Sequence, residues 1–233
     1  MSRKINPISF RLGLSQVWNS TLQVYGKNLS LYSQLLYVKL VLENYIVRLS
    51  NYSKDAKLLS VSNWFANVNT TTLLINFINI NSIYFKTICL DKLDKDLPFL
   101  KVLNVKFYLV KHFNWLNSAN FISNCIKCSF INESNLKSVL KEVVKLLFFQ
   151  IGFKKVVYNN KGIVLLKLKG FKLEISGCFG NNKGQMSKVL KHTKGTVSLL
   201  ELNSYVEYDC IQIYSKSGVN NFKIWLFYTE KRC

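Results

Sequence analysis

A short amphipathic strand that runs into a glycine- and lysine-rich segment is the feature that most constrains this chain. In residues 169–177 apolar side chains alternate with polar ones, so that Phe171, Leu173 and Ile175 share one side. Glycines then break the alternation and allow backbone conformations that other residues avoid. Lysines and one histidine, without any acid, follow as far as Lys194. The pattern predicts a half-buried sheet with a cationic loop, which is either a surface for a polyanion or an ordinary solvated loop.

The charge balance favours a polyanionic partner. The 233 residues include 32 lysines and arginines but only 12 acids, which gives a net charge of +20. Since 49% of the residues are hydrophobic, the chain can bury a sizeable core and is not a disordered tail. Unpaired positive charge of this size repels itself unless a polyanion neutralises it. Nucleic acid is the first candidate, and an anionic membrane surface is the second.

The cysteines predict neither disulfides nor a metal site. All six are scattered along a large basic chain, which fits a reducing compartment better than a disulfide framework. Cys125 and Cys128 form one CxxC pair, but a zinc site needs about two further ligands, and His112 and His192 are isolated. We therefore expect buried thiols on a strand, no metal and no cofactor.

The sequence indicates neither a membrane span nor an enzyme. Residues 58–85 carry no charge, but they contain several asparagines whose amides are too costly for a spanning helix. The acids between Asp91 and Asp96 alternate with lysines, as in a solvated turn. No nucleophile–base pair or phosphate-binding loop is present. The first ten residues lack a signal-peptide core and an amphipathic presequence, so we expect synthesis in the compartment where the protein works.

Hydrophobic periodicity predicts an α+β fold. The predicted helices cover residues 29–50 and 133–150, and the predicted strands, besides 169–177, cover residues 71–80, 82–91, 125–131, 196–202, 205–214 and 219–228. The second helix has an apolar face and a separate row formed by Lys137, Lys141 and Lys145. That row is either a solvated face or a direct contact with RNA.

Both ends of the chain resemble a known family. The first 21 residues contain an Asn-Pro pair, a Phe-Arg-Leu-Gly series and a Trp-Asn-Ser-Thr series in that order. Near the other end stand Lys-Gly-Phe-Lys-Leu-Glu-Ile-Ser-Gly over residues 169–177 and Lys-Ile-Trp-Leu-Phe over residues 223–227. These segments resemble the small-subunit ribosomal protein three family, whereas the middle of the chain diverges from it.

The resemblance implies a specific domain arrangement. It comprises a basic arm over residues 1–28, a KH-like domain of type II order over residues 29–131, and a small α/β domain with a mostly antiparallel sheet over residues 132–233. A KH domain clamps the RNA backbone with a Gly-x-x-Gly loop. Residues 92–120, where that loop belongs, contain no glycine. We therefore expect a degenerate KH-like domain without its usual RNA clamp.

The resemblance also implies the partners and the contact residues. It places the protein in the head of the small ribosomal subunit, against ribosomal RNA and neighbouring head proteins, as a scaffold whose lysines engage phosphates. The residues expected to bind ribosomal RNA are Arg3, Lys4, Asn6, Arg11, Lys169, Lys183, Lys188, Lys191 and Lys194. Lys154 and Lys155 align with paired arginines at the messenger RNA entrance of the family, so both are expected to face the messenger.

The resemblance and the composition together favour a mitochondrial ribosome. A composition rich in Asn, Ile, Lys, Phe and Tyr suggests an AT-rich organelle genome, and the missing KH loop argues against a plastid. Two other classes stay open. One is a basic peripheral membrane protein, which would need an apolar helix face left free for lipid. The other is a nucleic-acid enzyme such as an intron endonuclease, which would need clustered acids for a metal.

Overall fold

The chain divides into two compact units. The structure is a computed structural model that describes residues 5–18, 33, 37, 40, 41, 59–66, 71–77, 105–111, 118–132, 136–159, 162–178, 186–215 and 218–230. One unit, here called the terminal unit, comprises Met1–Val17 and Asn114–Cys233. The other, the middle unit, comprises Trp18–Phe113. These boundaries differ from the predicted ones, because the start of the arm and residues 114–131 belong to the same unit as the C-terminal sheet.

The middle unit contains a three-stranded sheet. Its strands are β1 (Leu59–Ala66), β2 (Thr71–Phe77) and β3 (Val105–Lys111). They lie in the order β1-β2-β3, with β1 and β2 antiparallel and β2 and β3 parallel. β2 confirms the strand predicted from residue 71, whereas no strand was predicted at β1 or β3. The strand predicted over residues 82–91 lies outside the described residues, and residues 33, 37, 40 and 41 of the predicted first helix are helical.

The terminal unit packs two helices on a five-stranded antiparallel sheet. In chain order its elements are α1 (Ala119–Asn132), α2 (Leu136–Gln150), β4 (Lys154–Asn159), β5 (Gly162–Gly177), β6 (Lys188–Gly195), β7 (Tyr205–Ser215) and β8 (Gly218–Glu230). The strand order is β4-β5-β8-β7, and β6 also pairs with β5. Because β5 is long, β4 pairs with residues 162–167 and β6 pairs with residues 170–177. The described fold is therefore α+β with a mostly antiparallel sheet, as predicted.

The strand predicted over residues 125–131 is wrong, because these residues belong to α1. The helix buries Ala119, Ile122 and Ile126, which recur at steps of three and four. These side chains join the core between the helices and the sheet. A short apolar run fits a strand and a buried helix equally well, so periodicity alone could not separate them.

The lysine-rich segment is itself a strand, which corrects two predictions at once. Residues 188–195 form β6 instead of a loop, while residues 196–202, predicted as a strand, form a bend and turns before β7. β6 pairs antiparallel with β5, so that Lys191 lies opposite Glu174. Lysines are typical of edge strands because their charge prevents pairing with other chains.

Two glycines allow β6 to approach the bulge in β5. The pairing of β5 with β8 shifts between Leu168 and Gly170. A Cβ on Gly170 would lie 2.7 Å from the carbonyl oxygen of Lys194, closer than side chains tolerate. Gly195 has a φ of +77°, in the region that favours glycine. The close approach of the two backbones therefore requires glycine at both positions.

The core lies between the two helices and one face of the sheet, here called the inner face. Phe171, Leu173 and Ile175 point into this core as predicted. Burying each such side chain stabilises the fold by about 1.5–3 kcal/mol. The opposite face, here called the outer face, carries a smaller cluster around Trp225 and Phe227. The outer face is thus partly covered as well.

Candidate nucleic-acid interface

Arg11, predicted to contact ribosomal RNA, is instead fully buried inside the terminal unit. Its side chain is 0% exposed. Its Nε donates to the carbonyl oxygen of Ser204 at 2.8 Å, and its Nη1 donates to that of Pro7 at 3.0 Å. Its Nη2 donates to the carbonyl oxygens of Leu199 at 2.9 Å and Glu201 at 2.8 Å. Burial lowers the pKa of Arg11, and the negative charge of Glu201 opposes this shift.

The prediction of a phosphate contact at Arg11 is therefore corrected. The guanidinium fork is occupied by backbone oxygens of the arm and of residues 199–204, so it joins the arm to the sheet. Gln16 strengthens the same junction, since its side-chain Nε2 donates to the carbonyl oxygen of Val206 in β7 at 2.5 Å. Asn6 is exposed, and its Oδ1 accepts from the backbone N–H of Ile8 at 3.0 Å. Arg3 and Lys4 lie outside the described residues.

β6 presents the largest described group of predicted RNA contacts. Lys188, Lys191 and Lys194 are all exposed, whereas Lys183 lies outside the described residues. Since side chains alternate along a strand, Lys188 and Lys194 lie on the inner face and Lys191 lies on the outer face. The Lys194 Nζ stands 4.3 Å from the centroid of the Phe148 ring in α2, a cation–π contact. β6 thus offers positive charge on both sides of one sheet edge.

α2 adds a second row of charge with an aromatic end. Val143 and Leu147 face the core, whereas Lys141 and Lys145 are exposed. Phe149 continues the row by one turn and is 81% exposed. Lysines four residues apart stand about 6 Å apart along a helix. The described part of the predicted lysine row, Lys141 and Lys145, therefore faces outward, as either a solvated face or an RNA contact requires.

Lys154 and Lys155 point to opposite faces of β4, because successive residues of a strand alternate. Lys154 is exposed. The Lys155 Nζ lies 2.5 Å from the Glu207 Oε1 and 5.9 Å from the centroid of the Tyr228 ring. The prediction that both ammonium groups face the messenger is thus wrong for Lys155.

Glu207 explains why Lys155 turns inward. The Glu207 Oε2 accepts from the backbone N–H of Ala119 at 3.1 Å, at the first residue of α1. A carboxylate is favourable there because the first N–H groups of a helix lack intrahelical partners. With Lys155 on its other oxygen, Glu207 joins β4, β7 and α1. Lys155 therefore has a structural partner.

Lys169 lies beside a cavity that also contains acids. It is exposed at the bulge of β5 and lines a cavity of about 530 Å³ together with Glu201, Thr229 and Glu230. The carboxylates reduce the local positive potential. Lys169 therefore has negative charge close by, as Lys191 has in Glu174 of β5.

Sequence reasoning missed Lys167, which the structure places beside Lys154. The two residues lie directly opposite each other in the pairing of β4 with β5, and both are exposed. The signal was present in the Leu-Lys-Leu-Lys series over residues 166–169, whose alternation puts both lysines on one side of a strand.

None of the helices that the structure describes is long and apolar enough to cross a membrane.

Comparison with known proteins places the chain in a family. The small ribosomal subunit protein uS3m of Chondrus crispus is 34% identical over 239 residues, which cover 100% of this chain and 96% of that protein. The small ribosomal subunit protein uS3 of Phytoplasma sp. (strain STRAWB1) is 25% identical over 246 residues, covering 99% of this chain and 84% of that protein. The small ribosomal subunit protein uS3c of Sorghum bicolor is 25% identical over 247 residues, covering 99% and 100%. No protein-family model matches the chain. Because one relative matches at this identity over the full length, the chain belongs to the uS3 family of small-subunit ribosomal proteins.

Proposed function

We propose that the protein is a structural constituent of the small ribosomal subunit that binds ribosomal RNA through exposed lysines and has no enzymatic activity. The observation that carries this proposal is the basic edge strand β6, whose three lysines are exposed in a chain of net charge +20. Family membership supports it, since the relatives are named as small ribosomal subunit proteins.

The physical mechanism is neutralisation of phosphate charge. A lysine that contacts a phosphate releases counterions, which favours binding of many RNA sequences alike. The proposed contacts are Lys169, Lys183, Lys188, Lys191 and Lys194, together with Arg3, Lys4 and Asn6 of the arm. Among them, Lys169, Asn6 and the three β6 lysines lie within the described residues. Arg11 is excluded because protein oxygens occupy its donors.

The finer assignments are proposals as well. The protein lies in the subunit head beside neighbouring head proteins, and Lys154 contacts messenger RNA at its entrance. A degenerate KH-like domain without the Gly-x-x-Gly loop, predicted over residues 29–131, is proposed for the part of that range that lies in the middle unit, residues 29–113. The ribosome is mitochondrial, which the match to a uS3m protein supports, whereas the uS3c relatives match at lower identity.

The test replaces the three β6 lysines in the full chain. Lys188→Gln/Lys191→Gln/Lys194→Gln removes the charge, and the matched control converts the same lysines to arginine. Binding to ribosomal RNA is measured against salt concentration, and incorporation into subunits is measured by sedimentation. Each phosphate contributes about 0.7–0.9 to the log–log slope, so the glutamine variant should reduce the slope by about 2–3. The arginine variant should bind like the parent.

The outcomes separate the site from the function. An unchanged slope for the glutamine variant would remove β6 from the RNA contacts. If the parent protein does not sediment with small subunits but floats with anionic vesicles, the ribosomal function itself is wrong.

A further inference from the structure

Two lysines of the outer face oppose each other directly. Lys154 of β4 pairs with Lys167 of β5, and both side chains are exposed. In an antiparallel pair such side chains have Cβ atoms about 4.5–5.5 Å apart, and like charges at this separation destabilise the sheet. The neighbouring residues Leu166 and Leu168 are buried in the core, which fixes Lys167 on the outer face. The two ammonium groups therefore share one small region of surface.

The next strand places a hydroxyl beside this pair. Thr229 of β8 lies opposite Lys167 on the other edge of β5. One row across three strands thus presents two ammonium groups and one hydroxyl, all of which can donate hydrogen bonds.

The lysine pair has no acid partner in the part of the chain that the structure describes. The ion pairs found there join Lys155 to Glu207 and Lys172 to Glu174. Thr229 lines the cavity that also contains Glu201 and Glu230, and Glu230 lies opposite Leu166, next to Lys167. Neither acid forms an ion pair with Lys154 or Lys167. Along the two strands the next outward pair is Val156 opposite Leu165, which carries no charge. Within the described residues, the repulsion between the two lysines is therefore not offset by a direct ion pair.

We propose that Lys154 and Lys167, assisted by the Thr229 hydroxyl, form a binding site for one phosphodiester group of an RNA backbone. A phosphate between the two ammonium groups converts their repulsion into charge-assisted hydrogen bonds. The partner of Lys154 at this site is therefore Lys167 of the neighbouring strand, and not Lys155, the next residue in the sequence. This inference rests on the proposed function, because the phosphate comes from RNA, either messenger or ribosomal.

The first measurement uses the free, full-length protein. Lys154→Gln and Lys167→Gln should each raise the melting temperature, because each removes the repulsion. Lys127→Gln, at an exposed lysine of α1 with no charged residue three or four positions away, is the matched control and should leave the melting temperature unchanged. Added inorganic phosphate should raise the melting temperature of the parent more than that of either variant.

The second measurement uses a short oligouridylate as the RNA probe. Each single variant should weaken binding about five-fold, a loss on the scale of one or two exposed charge pairs. The double variant should lose little more, because both lysines serve the same phosphate. Its log–log salt slope should fall by about 0.7, the contribution of one phosphate of a single strand.

Several results would overturn the site. A lower melting temperature for either variant would make the lysine a structural residue. Unchanged oligouridylate binding, even with a phosphate effect on melting, would leave only a small-anion site. Additive losses in the double variant would mean two separate phosphates.

Ribosomes assembled with the double variant identify the source of the phosphate. Normal assembly with weakened messenger retention indicates messenger RNA, whereas impaired assembly indicates ribosomal RNA; either result supports the site. If the parent fails to enter subunits while its lysine pair still binds oligouridylate, the proposed function fails and the site stands.

Discussion

Replacing Arg11 tests whether a basic arm residue acts as a structural anchor. Arg11→Ala removes the donors of four carbonyl oxygens, those of Pro7, Leu199, Glu201 and Ser204. A buried acceptor that loses its partner costs about 1–3 kcal/mol. Because the carbonyls of residues 199–204 lie close to the surface, water can replace some of the lost bonds. We therefore expect a loss of about 3–5 kcal/mol, which corresponds to about two such carbonyl oxygens left without a donor.

Arg11→Lys separates the geometry of the guanidinium from its charge. Lysine keeps the positive charge but lacks the planar fork that reaches several carbonyls at once, so we expect a loss of about 2 kcal/mol. Leu14→Ala is the control for a substitution elsewhere in the arm. Leu14 is 59% exposed, so its replacement should change the free energy of unfolding by no more than about 0.5 kcal/mol.

Urea unfolding followed by the fluorescence of Trp225 is the assay. Trp225 is buried in the outer-face cluster of the terminal unit. The chain has four tryptophans, so Trp18, Trp64 and Trp115 are first replaced by phenylalanine to make Trp225 the sole reporter. If Arg11→Ala unfolds at the urea concentration of the parent but binds ribosomal RNA more weakly, Arg11 is a phosphate contact and the anchor assignment is wrong.

Three further predictions follow from single contacts. Leu173→Asp should destabilise the terminal unit by about 4 kcal/mol in urea, because it buries an unpaired charge. His192→Asp, at the exposed position directly opposite on β6, should unfold close to the urea concentration of the parent, and equal losses would refute the assignment of Leu173, but not His192, to the core. Lys155→Gln should lower the free energy of unfolding by about 1 kcal/mol, because it removes the partner of Glu207, and should leave oligouridylate binding unchanged. Weaker binding would show that Lys155 contacts RNA after all. Burial, together with Cys210 and nearby carboxylates, raises the pKa of Tyr208 to about 12. The stability contributed by its neutral phenol is therefore present below about pH 10 and is lost as the pH rises towards 12. A difference absorbance titration against Tyr208→Phe that shows ionisation of Tyr208 near pH 10 would contradict this.

The parts of the fold that the sequence predicted are those with an unbroken local pattern. β5 alternates apolar and polar residues, and Phe171, Leu173 and Ile175 are buried in that phase. β7 and β8 start within one residue of their predicted positions. β5 faces one large core, so a period of two suffices to identify it, whereas β8 is buried on both faces over residues 224–228 and was identified by a continuous apolar run.

Burial of Arg11 could not be predicted in the same way. A basic residue in an extended arm, with no acid nearby in sequence, has the local pattern of a phosphate contact. Its actual partners include Ser204, 193 residues away along the chain. Only tertiary structure brings those carbonyl oxygens to the arm, so a local pattern carries no information about them.

The strand phase of residues 154–159 decides which lysines can meet RNA. A Lys-Lys pair in a loop or helix can present both ammonium groups to one ligand, whereas in β4 the alternation sends Lys155 to Glu207 and leaves Lys154 outside. The partner of an outward strand lysine then comes from the neighbouring strand, where register puts Lys167. Of the two lysines adjacent in sequence, Lys155 thus has a structural role and Lys154 a proposed role in binding. The proposed binding pair, Lys154 and Lys167, is 13 positions apart in the chain. For the same reason, a comparison with relatives that considers only the positions of Lys154 and Lys155 would overlook Lys167, the proposed partner of Lys154.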